Sequence, residues 1–115
     1  MAEGFDAMER ELTEELAACG KNGTEEERQL LLALGDYATG VRAFHARTVM
    51  AARQAADGAA GARAAELRAI ADALESAFHQ PAQTFYTGLL ALNFTWMLDF
   101  CDGIGRVDQV LGALY

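Results

Sequence analysis

The sequence predicts an all-α fold, an antiparallel bundle of about four helices with one long helix and a buried, apolar fourth helix. Apolar residues recur at spacings of three and four along nearly the whole chain, and one proline interrupts them. No stretch alternates between apolar and polar residues as a half-buried strand does, and no internal repeat is found. A chain of 115 residues has the size of one domain. We therefore expect residues 1–115 to form a single helical domain.

The first helix is expected over about residues 5–19. Gly20 follows the last apolar position and is a typical helix-end residue, and the sequence Lys21-Asn22-Gly23 then forms a turn. The predicted inward stripe of this helix consists of Phe5, Met8, Leu12, Leu16 and Cys19.

The second helix is expected to be long, over about residues 25–56. Thr24 is followed by three glutamates, which predicts a capping box and places negative charge at the positive end of the helix dipole. Such a helix is about 48 Å long at ~1.5 Å per residue, more than one compact core of this size covers. Its predicted inward stripe is Leu30, Leu34, Tyr37, Val41, Phe44 and Thr48.

The remaining helices are separated by turn signals. Glycines in the segment 57–61 predict a connection, and a third helix is expected over about 62–78. Pro81 pushes Gln80 out of the helical region and so ends this helix. Thr84 can begin a fourth helix, over about 84–100, and a glycine-rich turn then precedes a short element over about 107–115.

The fourth helix has apolar side chains on every face, so it needs cover all round. A chain of 115 residues leaves little material for that cover. We expect the protein either to form a homo-oligomer or bind a partner, or to have been cut from a larger enzyme whose remainder covers this helix. The predicted interaction surface is Phe85, Leu89, Leu92, Phe94, Trp96 and Met97.

Composition and charge exclude several classes of function. The hydrophobic fraction of 52% and the charged fraction of 23% argue against disorder. The net charge is −8, and residues 1–36 carry ten acids against three bases. A basic footprint for the phosphate backbone is absent, so we expect no nucleic-acid partner. The acidic face either serves solubility or meets a basic partner.

The two cysteines and the apolar run also bear on location. Cys19 and Cys101 are too few and too far apart to predict a disulfide framework or a metal pair, and we expect both to be reduced. We find no basic region followed by an apolar core at the amino terminus, so we expect no secretory signal. The apolar run is short and polar for a membrane span. We therefore expect a cytoplasmic protein with no membrane partner.

Candidates for chemistry are few. His45 is expected to be a half-buried helix residue, and His79 a helix-end residue favourable to the dipole. The three successive glutamates 25–27 point in different directions and cannot converge on one ion, and the inward Glu-x-x-His pairs of di-metal bundles are missing. Gly103-Ile104-Gly105 lacks the preceding strand and the lysine of a phosphate loop. We expect no catalytic residue, no cofactor and no metal.

Four segments of the carboxy-terminal half, residues 63–71, 81–86, 92–96 and 105–109, carry a resemblance to a known family. In their order and spacing they are similar to the pyruvate formate-lyase-like glycyl radical enzymes. The family has an arginine-rich "R-A-E-L-x-x-I-A" helix, a Pro-x-x-Thr-Phe helix entry, an aromatic buried segment and a Gly-Arg-x-Asp-Gln loop. Segments similar to these occur here in the same order and at similar spacing, and residues 42–47 are similar to the family's preceding long helix.

The resemblance implies helical casing outside a β/α barrel, with the loop from Gly105 to Gln109 near that barrel. Arg106 would hold a carboxylate bidentately, and Asp108 and Gln109 would tie the loop to neighbouring backbone. The alternative is that this loop contacts the substrate directly. The family's Tyr-Leu-Tyr-Pro-Tyr-Tyr continuation is replaced by residues 110–115. The cysteine loop that forms the thiyl radical and the glycine loop that stores the radical have no counterpart in this sequence, and neither Cys101 nor Gly112 sits in a matching motif.

Three hypotheses follow. The first is a helical segment of a glycyl radical enzyme, present as a truncated frame, an excised domain or a split piece, without catalytic activity on its own. The second is an independent small acidic helical protein that self-associates or binds a partner through the fourth helix. The third is an acidic inhibitor directed at a basic surface. None of them identifies a substrate, because the residues that select it lie mostly outside this stretch.

Overall fold

The computed structural model describes the backbone of residues 4–98 and the side chains of residues 4–95. These residues form four helices and no strand, which confirms the predicted all-α bundle. Short connections join neighbouring helices that pack antiparallel. The end of the predicted fourth helix and the short element predicted over 107–115 lie outside the described residues. The helices are α1 (Phe5–Asn22), α2 (Glu25–Asp57), α3 (Gly61–His79) and α4 (Phe85–Leu98).

Threonines begin both α2 and α4. The backbone N–H of Glu27 donates to Thr24 Oγ1 at 3.2 Å, and the Thr24 N–H donates to Glu27 Oε2 at 2.8 Å, which confirms the predicted capping box. At α4, the N–H of Thr87 donates to Thr84 Oγ1 at 3.1 Å, and the Thr84 N–H donates to Thr87 Oγ1 at 3.1 Å. Both helix starts are therefore specified by local side chains.

Helix ends follow the backbone preferences of their residues. Helix α1 continues past Gly20 because the last turn closes only at Gly23, whose N–H donates to the Cys19 carbonyl at 2.7 Å. Gln80 is extended at φ −124° and ψ 159° and ends α3 ahead of the proline, as predicted. Gly61 begins α3 at φ +59°, a conformation that a residue with a side chain rarely adopts.

The core lies where the middle of α2 meets α3, the first turn of α1 and α4. His45 is its buried polar member at 2% exposure. Phe44 and Ala52 pack against the core from α2 and are themselves partly buried. The buried hydrophobic cluster consists of Phe5, Val41, Val49, Ala71, Leu74, Phe78 and Phe94.

The predicted inward stripe of α2 is wrong over its first half. Leu30, Leu34 and Tyr37 are 62%, 45% and 64% exposed, whereas the stripe from Val41 onward faces the core. Helix α2 has 33 residues against 18 in α1 and 19 in α3, so its neighbours do not cover its whole circumference along its length. The sequence period marks an apolar face without showing whether another element reaches it.

Candidate interaction surface

The first two turns of α4 form an exposed apolar surface, which we call the α4 face and define by Phe85, Tyr86 and Leu89. These side chains are 60%, 50% and 38% exposed. Thr84 fixes the start of the helix and so orients its first turn. Large apolar side chains that cluster on a surface are typical of sites that bind another protein.

Phe94 corrects the predicted interaction surface. It is only 4% exposed and belongs to the core, with its ring centroid 5.6 Å from that of Phe44 and 5.7 Å from that of Phe78. Leu92 is half-buried. The side chains of Trp96 and Met97 lie outside those described. Of the predicted surface, the structure therefore places Phe85 and Leu89 on an exposed face and removes Phe94 from it.

An apolar cleft opens between the four helices beside the core and has a volume of about 160 Å³. Helix α1 contributes Phe5 and Met8, α2 contributes Tyr37 and Val41, and α4 contributes Ala91, Phe94 and Thr95. The floor of the cleft is formed by Leu74, Ala77 and Phe78 of α3. Its lining offers contact to apolar groups and carries no acid or base among the described residues.

A second depression, the α1–α2 groove, runs between the first two helices. Its upper part, beside Phe5 to Glu15 of α1, has a volume of about 390 Å³ and includes Met8, Leu12 and Leu34 in its lining. Its lower part has a volume of about 320 Å³ and includes Cys19 and Leu30. Glu15 and Leu31 line both parts, so the two form one continuous groove along α1.

A network of charged side chains joins α1, α2 and α3 beside the core. The guanidinium of Arg42 donates to Asp6 Oδ1 at 2.8 Å and also pairs with Glu9, while its carbon Cζ lies 5.6 Å from the centre of the Phe5 ring. His79 Nδ1 lies 2.9 Å from Asp6 Oδ1. The hydrogen bonds from His79 and Arg42 lower the pKa of Asp6. Glu9 and Asp6 in turn raise the pKa of Arg42.

His45 lies at the centre of the core, more deeply than the half-buried position expected. Its ring stacks on Phe78 with centroids 3.9 Å apart, and Nε2 donates to the Leu74 carbonyl oxygen at 3.1 Å. This bond places the proton of the neutral ring on Nε2. Burial lowers the pKa of His45, and the Leu74 bond opposes that effect. His45 thus acts as an aromatic core residue with one satisfied donor.

The described residues contain few groups arranged for reaction. No group of three His, Cys, Asp or Glu side chains within residues 4–95 is placed to hold a metal ion. Cys19 Sγ lies 3.8 Å from the Thr24 carbonyl oxygen at the end of α1. Within residues 4–98, none of the helices has both the length and the apolar character needed to cross a membrane. Gly105, Arg106, Asp108 and Gln109 of the predicted loop, and Cys101, lie outside the described residues.

Two features of the surface were not predicted from the sequence. The first is Tyr86, which belongs to the α4 face. Thr84 caps α4 and so places Phe85 and Tyr86 in its first turn, and this cap is the sequence signal for the position of Tyr86. The α1–α2 groove arises because Leu30 and Leu34 lie beside α1 and still remain 62% and 45% exposed. Only the relative lengths of α1 and α2 point to it in the sequence.

Comparison with known proteins identifies the family. No curated protein and no solved structure matches the chain. The family model described as pyruvate formate lyase-like matches residues 1–115. The helices of residues 63–98 agree with the helical region that the resemblance implies. The chain belongs to the pyruvate formate lyase-like family.

Proposed function

We propose that this chain is a helical segment of a pyruvate formate lyase-like enzyme, one that packs against the body of that enzyme through the α4 face and has no catalytic activity on its own. The observation that supports it most directly is the exposure of Phe85, Tyr86 and Leu89 in a chain whose family match spans residues 1–115. In the proposed assembly the segment forms part of the outer helical layer of the enzyme, and the reacting groups lie on the enzyme body.

The α4 face is large enough to contribute to a stable contact. Burial of the exposed part of each aromatic ring contributes on the order of 1–2 kcal/mol at ~25 cal/mol per Å² of apolar surface. Phe85 and Tyr86 are both at least half exposed, and both sit on the first turn of a capped helix. A pre-formed helix loses little backbone entropy when it docks, so more of this burial energy remains as affinity.

The polar side chains of the bundle support a structural role. Arg42 and His79 are paired with carboxylates of α1, and the Nε2 donor of His45 is taken by the Leu74 carbonyl. These groups hold helices together and do not line the apolar cleft. The sequence segments that resemble the family's casing are present, while the cysteine and glycine loops that carry the radical chemistry have no match in this sequence.

The proposal is tested by mixing the chain with a pyruvate formate lyase-like polypeptide that carries the cysteine and glycine loops. Sedimentation velocity is expected to show a complex, and a glycyl radical signal after activation is expected only in samples that contain that polypeptide. The double variant Phe85→Ser/Leu89→Ser should abolish the complex. Met50→Ser is the control, because Met50 is 55% exposed but lies on α2. A radical or lyase activity from the chain alone would contradict the proposal.

A second candidate is a stand-alone protein that forms a homo-oligomer through the same face. The exposed residues of α4 favour it, since two copies could cover each other's aromatic rings. Light scattering decides between the two. A dimer or tetramer that unfolds sharply and dissociates in Phe85→Ser/Leu89→Ser supports self-association, whereas a monomer that gains mass only with the enzyme polypeptide supports the first candidate. Both candidates place the protein in the cytoplasm with reduced cysteines.

A further inference from the structure

The α1–α2 groove has the character of a binding site for a helix. We propose that it binds a basic amphipathic helix of a partner protein, one whose apolar stripe is flanked by Lys or Arg. This partner is distinct from the enzyme body that the α4 face is proposed to meet, because the two surfaces share no lining residue.

The floor of the groove is apolar, and no described residue covers it. Met8, Leu30 and Leu34 are 48%, 62% and 45% exposed, and Leu12 and Leu31 are half-buried between the helices. Met8 and Leu12 are four residues apart on α1, and Leu30 and Leu31 precede Leu34 on α2 by four and three residues, so they form one continuous strip. A strip of this kind is complementary to the apolar face of a third helix, which packs into the space between two others.

The charged residues along the groove are all acidic. Glu9, Glu11 and Glu15 line its upper part, and Glu15 and Glu27 line its lower part, with no Lys or Arg among these lining residues. Arg42 engages Glu9, and the capping box engages Glu27. No base among the described residues pairs with Glu11 or Glu15, which leaves two carboxylates at the edge for a partner's cations.

Charge also selects the occupant. A second copy docked groove to groove would bring the same glutamates against the acidic edge. Like charges placed together across an interface are unfavourable, and opposite charges steer association and fix the register. A helix with Lys or Arg on both sides of a leucine stripe satisfies the apolar floor and the acidic edge together. Helix α1 has 18 residues, so a partner helix of about 27 Å spans the groove.

The probe is a fluorescent peptide of roughly 18 residues, with leucines at helical spacing and lysines on both flanks. Anisotropy titration with the full chain is expected to show saturable binding that weakens as salt is raised. A peptide with Glu in place of every Lys is the matched control and should not bind. Amide exchange should show protection of α1 and the first half of α2, and leave α4 unchanged.

Variants of the edge and the floor locate the site. The double variant Glu11→Gln/Glu15→Gln is expected to weaken binding about tenfold, the effect of losing two exposed ion pairs. Glu14→Gln is its control, since Glu14 is exposed on α1 and does not line the groove. Leu34→Ser should weaken binding at least as much, and Leu32→Ser, at a 38% exposed position outside the lining, should not.

The proposal would be overturned by no saturable binding of the lysine peptide, by equal binding of the glutamate peptide, or by equal losses in Glu14→Gln and Glu11→Gln/Glu15→Gln. A dimer that Leu34→Ser dissociates would assign the groove to a second copy instead. Because the groove and the α4 face share no residue, Phe85→Ser/Leu89→Ser should leave binding of the lysine peptide unchanged. Failure of the enzyme-casing proposal would therefore leave this result intact.

Discussion

The imidazole of His45 stacks on the ring of Phe78, with centroids 3.9 Å apart and planes inclined by 12°. Phe78 in turn stacks on Phe5 of α1, and Phe94 of α4 meets His45 edge-on at 5.2 Å. An aromatic cluster that contains one titratable ring therefore joins all four helices. A charge on this ring would be placed in the core, where desolvation makes it costly.

The first prediction concerns pH. The folded-state pKa of His45 lies below its ordinary value of 6.5, chiefly because of burial. Between these two pKa values the unfolded chain binds more protons than the folded chain, so stability falls as the pH is lowered from about 6.5 and is highest above it. Urea unfolding between pH 7.5 and pH 5 should show this decline.

His45→Phe isolates the source of that decline. Phenylalanine keeps an aromatic ring against Phe78 but cannot be protonated, so the fall in unfolding free energy below about pH 6.5 should flatten. The pKa of Asp6 lies below its ordinary value of 3.8, so Asp6 stays charged between pH 7.5 and pH 5 and does not contribute to this decline in stability. An unchanged slope in His45→Phe would contradict the assignment of this pH dependence to His45.

The second prediction concerns the link between α1 and α2. Arg42→Met keeps the aliphatic stem over Phe5 but removes the bonds to Asp6 and Glu9. The Arg42 side chain is 41% exposed, so solvent screening limits the loss to about 0.5–1 kcal/mol. Amide exchange in α1 should accelerate accordingly. Arg28→Met is the control, because Arg28 pairs with Glu25 within α2 and joins no second helix.

The sequence predicts those parts of the fold that local chemistry determines. Thr24 with Glu27 specifies the start of α2, and Pro81 after Gln80 specifies the end of α3, because the deciding groups are a few residues apart. The position of His45 was underestimated. A histidine next to Phe44 looks half-buried by period alone, and only the arrival of Phe78 and Phe94 encloses it.

The candidate surfaces depend on what other elements cover, which periodicity does not encode. Leu34 and Val41 have the same helical phase on α2, yet Leu34 is 45% and Val41 6% exposed because their neighbours differ. Phe85 and Phe94 likewise belong to one apolar run, yet Phe85 is 60% and Phe94 4% exposed. To predict which apolar residues form a docking face, one therefore needs the packing of all helices.

The third prediction concerns the contact of Gly4 with the end of α3. A Cβ atom at Gly4 would lie 2.3 Å from the His79 carbonyl oxygen and 2.7 Å from the Gln80 Cα, both of them backbone atoms. Gly4→Ala should therefore displace the start of α1 and lower the unfolding free energy by about 1–3 kcal/mol. At Gly20, nothing lies within 4 Å of the added Cβ, so Gly20→Ala should stabilise α1 by up to ~1 kcal/mol. Thermal unfolding of Gly4→Ala and Gly20→Ala provides the comparison. Equal changes in stability would contradict the close approach of Gly4 to the backbone at the end of α3.

The fourth prediction separates the core of α4 from its exposed face. Phe94 is 4% exposed and contacts Phe44, His45 and Phe78, so Phe94→Ala should lower the unfolding free energy by about 3–5 kcal/mol through the cavity it leaves. Phe85 is 60% exposed, so Phe85→Ala should change stability by less than about 1 kcal/mol while weakening any complex formed through the α4 face. Urea unfolding measures the first effect and sedimentation the second. If Phe85→Ala destabilised the isolated chain as much as Phe94→Ala, then Phe85 would be part of the core and the α4 face would not be a docking surface.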